Sequence, residues 1–178
     1  MSFLKESWIG ARGKIKLNGY FYTYNNENYI KSLIFYDDGY FIDGFGYIDL
    51  DIEQYERMFI NNHLTKYYDS IGFSKYKYWS EWKEWKSEKI RWGVYRFRGD
   101  TLVCQSFGRP GFADVFVYED YYLIESDTTL IFFKSKQKKN TFTGKNKIRI
   151  YEAKKTYKFK KYEFKPDSIN WLMKYVKQ

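Results

Sequence analysis

The chain has one cysteine, one histidine and two prolines in 178 residues, and each scarcity removes a class of protein. A single thiol, Cys104, cannot form an internal disulfide, so the fold must be held by its core rather than by cross-links. A zinc or iron centre needs several His or Cys ligands, and His63 and Cys104 supply one of each. No apolar run reaches the 18 residues of a membrane-spanning helix. The opening Met1-Ser2-Phe3-Leu4-Lys5-Glu6-Ser7-Trp8 lacks the apolar stretch of a secretory signal. As written the sequence reads as cytoplasmic, with an exported origin if a signal segment has been removed. No Ser or Cys lies in a nucleophile elbow and no Gly-rich loop is built to cradle phosphate, so the expectation is a protein that is not an enzyme.

Aromatic residues are abundant instead: 20 Tyr, 16 Phe and 6 Trp make up 24% of the chain. Such rings suit a pleated, half-buried surface and favour strands over helices. Hydrophobic and charged fractions of 44% and 30% describe an ordered chain rather than a disordered one. The net charge of +9 is unevenly placed. Between Lys134 and Lys165 there are 13 basic residues against Glu152 and Glu163, leaving −2 for the rest. This basic 134–165 region could attract an acidic partner or nucleic acid, although lysines on outward strand positions give the same pattern.

From Leu17 the pattern is that of strands. Leu17–Tyr24 and Tyr29–Tyr36 flank a short Asn-rich segment and read as a hairpin. Asp37-Asp38-Gly39 supplies a second turn, because Asp-Gly accepts the backbone angles that tight hairpins need, and Tyr40–Phe45 follows. The period then changes. Asp51 and Gln54 have the spacing of a capping box, and Ile52, Tyr55, Phe59 and His63 continue at helical spacing, predicting a helix over about 52–67. Trp79, Trp82 and Trp85 recur every three residues. They could pack over a barrel end, form a lid, or make a sugar- or partner-binding platform.

Strands resume at Trp92–Arg98 and Thr101–Phe107, with Cys104 read as a small buried hydrophobe. Ala113–Tyr118, Tyr121–Glu125 and Thr128–Phe133 read as further strands, Lys134–Asn146 as an exposed basic loop, and Lys147–Tyr151 and Thr156–Phe164 as the last two strands. Asp37-Asp38 and Glu119-Asp120 sit where turns are expected, so their carboxylates read as turn chemistry. Past Pro166, Ile169, Leu172, Met173 and Val176 form one apolar stripe, which predicts a C-terminal helix over about 167–177. The expected fold is a single mostly β domain spanning 1–178. It is an antiparallel up-and-down barrel of about eight to ten strands, with a helical, Trp-rich insertion over about 51–91 and a C-terminal helix.

Leu17-Asn18-Gly19-Tyr20-Phe21, the run of hairpins and the final helix together resemble the lipocalin-like (calycin) barrels, in particular the small type found in Bacteroidota. The blocks that carry the resemblance are Leu33–Gly39, Trp92–Phe107, Tyr121–Phe133 and Tyr162–Trp171. Phe21 stands where the family's first strand has Trp, and the larger family's Thr-Asp-Tyr motif is absent. The resemblance implies an apolar interior holding a small hydrophobic or amphipathic ligand, with Phe21 pointing inward. Phe21, Phe35, Trp92, Tyr95 and Gln105 are the candidate lining residues, since ligand pockets are mostly apolar with a few orienting polar groups. The same rings could instead fill the interior. The alternative reading is an aromatic-rich interaction domain whose basic face binds an acidic protein or nucleic acid. No cofactor is expected, and the oligomeric state is not legible.

Overall fold

A computed structural model describes residues 13–25, 29–44, 52–56, 92–108, 115–140 and 147–162. Among them, eight strands close into one antiparallel barrel in which each strand pairs with its neighbours in sequence and β8 returns to β1. The strands are β1 (Gly19–Asn25), β2 (Tyr29–Phe35), β3 (Tyr40–Gly44), β4 (Trp92–Arg98), β5 (Thr101–Gly108), β6 (Val115–Ser126), β7 (Thr129–Asn140) and β8 (Lys147–Lys161). A single helical turn, α1 (Ile52–Tyr55), lies between β3 and β4. The rest of the expected 52–67 helix, His63, the three tryptophans Trp79, Trp82 and Trp85, and the expected C-terminal helix all lie outside the described residues.

Three local expectations are corrected. β6 runs unbroken through Glu119 and Asp120, so these are strand residues and not a turn. Its ladder with β5 holds one register from Leu123 opposite Thr101 to Phe116 opposite Gly108, and no Gly or Pro interrupts it. Lys134–Asn140 belong to β7 rather than to an exposed loop. β8 is one strand of 15 residues rather than two. The cause lies at Phe133, where an irregularity shifts the pairing with both neighbouring strands. A bulge of this kind changes which residues face inward, so an alternation counted straight through it loses phase.

The two ends of the barrel differ. At one end the chain turns tightly through 36–39, 99–100 and 127–128, with Gly39 and Gly99 at positive φ. The segment 13–18 crosses this end. Ile15 is 5% exposed and joins the core. The Lys16 amide donates to the Asp127 carbonyl at 2.9 Å, and Lys14 donates from Nζ to the Gly99 carbonyl at 2.8 Å while lying over the Phe97 ring.

The core above this plug comes from the inward alternate positions, chiefly Phe21, Leu33, Phe35, Phe41, Tyr95, Leu102, Cys104, Tyr122, Leu130, Phe132 and Tyr157. The opposite face of β1–β5 is buried as well, through Tyr20, Ile30, Ile34, Ile42, Val94 and Val103. Just past α1, Glu56 accepts a hydrogen bond from the Tyr20 hydroxyl at 2.8 Å and pairs with Lys160 at 2.9 Å. On β6–β8 the outward face is wetter, with Leu123, Ile148 and Ile150 exposed.

Candidate functional site: a polar layer over an aromatic floor

An eight-stranded barrel has an interior just wide enough to be filled by side chains or to hold one small ligand. Near the plugged end it is filled. Phe35 meets Tyr95 at 5.1 Å between ring centroids, and Phe21 and Phe41 each at 5.8 Å. Phe21 also meets Phe159 at 5.4 Å. These are separations of rings in contact, mostly edge to face, and Phe21, Phe35 and Tyr95 are each 1% exposed. The Tyr95 hydroxyl donates to the Tyr36 carbonyl, tying the ring to the tight turn. Together they form a solid floor.

One position further along the same inward rows, the chemistry changes. Lys31 is in phase with Leu33 and Phe35, Asp43 with Phe41, Asp120 with Tyr122, and Thr23 with Phe21. The Lys31 ammonium pairs with Asp43 Oδ2 at 3.3 Å, and Ser135 hydrogen-bonds Asp120. Protein surrounds these groups, yet solvent still touches 35% of the Lys31 side chain and 26% of the Asp43 side chain. The other Asp43 oxygen, Oδ1, is buried and has no hydrogen-bond partner among the described residues. Lys31 and Asp43 are therefore inward-row residues that keep contact with solvent.

The charges act on one another strongly in this enclosed setting. Burial pulls the Lys31 ammonium toward a lower pKa, but Asp43, Tyr157 and Asp120 more than offset this and hold it above the usual lysine range. Burial raises the Asp120 carboxyl, with Asp43 adding to the effect and Lys31 and Ser135 opposing it. The Tyr157 hydroxyl is pushed up to about 12, chiefly by burial. Burial also raises Cys104 well above an ordinary thiol, with Asp120 and Asp43 contributing. The protonated, buried thiol matches the reading of Cys104 as a small core hydrophobe.

These shifts predict a pH dependence. A carboxyl whose folded pKa lies above its unfolded value contributes stability while protonated and loses it as pH rises through the folded value. The native protein should therefore lose stability relative to Asp120→Asn as pH climbs from the ordinary 3.8 through the raised folded pKa. Denaturant titrations at stepped pH would read this, and a difference independent of pH would contradict it.

Of the five residues expected to line a pocket, Phe21, Phe35 and Tyr95 come together in the floor. Gln105 is buried but in phase with Val103 on the opposite face of β5. There its amide donates to Glu119 Oε1 at 3.2 Å, and Glu119 also accepts from the Tyr121 hydroxyl at 2.9 Å. Trp92 opens β4 in register with Ile42, in phase with Val94 rather than with Tyr95. Lys31, Asp43 and Asp120 were not among the expected residues, although alternation places each on an inward row.

The basic stretch is divided by the strands that carry it. Lys134, Lys136 and Lys138 are outward on β7, where Lys134 is opposite Glu152 and Lys136 opposite Glu119. On β8, Lys147 and Arg149 stand opposite Lys139 and Gln137, on the row of β7 that carries Ser135, and both are exposed. The positive charge therefore does not form one uniform face. No protein-family model matches the chain, and neither a curated protein nor a solved structure is found to be similar to it.

Proposed function

We propose that the protein is a non-enzymatic, lipocalin-like barrel that binds a small amphipathic molecule above the aromatic floor, at the end opposite the 13–18 plug. The supporting observation is the Lys31–Asp43 pair, which lies inside the barrel yet stays in contact with solvent. Charged groups facing inward are costly for a protein that needs only a core. They suit a site that orients a ligand's polar groups. The floor stops the ligand short of Phe35, so the ligand is small and sits across the polar layer. Apolar contact comes from the Phe132 and Tyr122 rings below it.

Native mass spectrometry on protein purified from its own host tests this. The expected spectrum contains a species heavier than the chain by one small molecule, and Lys31→Met should lose that species while remaining folded. Protein found only at its bare mass, together with no binding from a panel of amphipathic compounds, would overturn the reading.

A further inference from the structure

β6, β7 and β8 are 12, 12 and 15 residues long, against 5 to 8 for the others. Their inward rows therefore continue beyond the polar layer. On this extension lies a hollow of about 260 Å³ lined by Phe116, Gln137, Lys147 and Arg149. Arg149 is directly opposite Gln137, and Lys147 follows two positions away on the same row, roughly 7 Å along the strand. The Gln137 amide donates to the Tyr118 hydroxyl at 3.1 Å, which fixes its orientation. Phe116 stacks on Tyr118 with ring centroids 6.3 Å apart and planes 22° from parallel. Among the described residues the lining contains two cations and no carboxylate, and neither Lys147 nor Arg149 has an ion pair.

The geometry points to this hollow as a binding site for a small planar organic anion, with Arg149 and Lys147 holding its carboxylate or phosphate and Phe116 supporting its apolar body. Two like charges converging on one hollow repel each other until an anion lies between them. A guanidinium presents a flat fork of donors that matches the paired oxygens of either acid. The flat ring of Phe116 offers a face for stacking. The volume is slightly below the roughly 300–1,000 Å³ of drug-sized pockets, which limits the ligand to about one ring and its acid group. The inference goes beyond the reading of a ligand held at the polar layer and adds a separate anion site at the rim of the barrel.

Calorimetric titration of the full chain at low salt, with phenylacetate, phenyl phosphate, phenylethanol and inorganic phosphate, tests it. At least one aromatic acid should bind, and phenylethanol, which keeps the ring but lacks the charge, should bind at least about tenfold more weakly. Arg149→Gln and Lys147→Gln should each weaken the acid by about tenfold or more, the scale of a lost charged hydrogen bond, and leave phenylethanol unchanged. If inorganic phosphate competes with both acids, the acid group alone is recognised; if only the aromatic acids bind, the ring is required as well. Equal binding of phenylethanol, or acid binding indifferent to both substitutions, would overturn the anion site. The two readings fail separately. Native protein found only at its bare mass, with acid binding lost in Arg149→Gln and Lys147→Gln, removes the polar-layer reading and leaves the rim site standing, whereas acids that do not bind a protein still carrying its host molecule remove the rim site alone.

Discussion

Replacing Phe35 with alanine should lower the free energy of unfolding by about 3–5 kcal/mol, the usual cost of emptying a large aromatic site in a core. Phe35 is 1% exposed and touches Phe21, Phe41 and Tyr95 in the floor. These neighbours sit on three different strands, and Tyr95 is tied to the Tyr36 carbonyl, so the site has little freedom to collapse. The residual space should stay dry, since rings and aliphatic chains line it and offer water no partners. Benzene added to the variant should therefore restore part of the lost stability, while leaving the native protein unaffected. Denaturant unfolding with and without benzene measures both effects. A loss under about 1 kcal/mol would mean that the rings are loosely packed. The floor would then be no barrier to a ligand, and the placement of the binding site above it would fail too.

The second large effect concerns Gly93, and here the expected sign is the opposite of what strand propensity suggests. Alanine in place of glycine within a strand ordinarily gains about 0.5–1 kcal/mol by restricting the unfolded chain. A Cβ at Gly93, however, would run into the Phe41 ring and the backbone carbonyl of Gln105. The ring is packed against Phe35, and the carbonyl belongs to the strand paired with β4. Neither can move away freely. Gly93→Ala should therefore destabilise the protein by about 1–3 kcal/mol, the range of an overpacked core. Phe41→Ala should relieve only part of this in the double variant, because the clash with the carbonyl remains. A Gly93→Ala protein as stable as the native one would show that β4 and β5 can separate locally.

Much of the barrel was legible because hairpin signals are local. Asp37-Asp38-Gly39 and Gly99-Asp100 mark turns by backbone preference alone, and the runs around them alternate cleanly. The errors cluster where alternation is interrupted or where both phases carry polar residues. Past Phe133 the sequence Lys-Ser-Lys-Gln-Lys has no apolar phase from which to read a strand, and it is held in β7 by ladders on both sides. Glu119-Asp120 looked like a turn for a similar reason. Its two carboxylates point to opposite faces, one to Gln105 and one into the polar layer.

The site was less legible than the fold. Aromatic character marks Phe21, Phe35 and Tyr95 as interior residues, and in the structure they meet as packing. The charged inward residues between and beyond them carry no such signal, because a lone lysine or aspartate in a strand ordinarily faces water. Lys31, Asp43 and Asp120 come from β2, β3 and β6, with 76 residues between Asp43 and Asp120, and no local pattern links them.

The sequence by itself determined that this chain is an aromatic-rich antiparallel barrel with tight turns after its second, fourth and sixth strands, because turn chemistry and two-residue periodicity act over a few residues. Only the tertiary structure decided that the rings form a floor and that the charges form a layer above it. Closing the barrel sets the height at which each inward residue meets those from the other strands, and that height depends on every register and bulge around the ring.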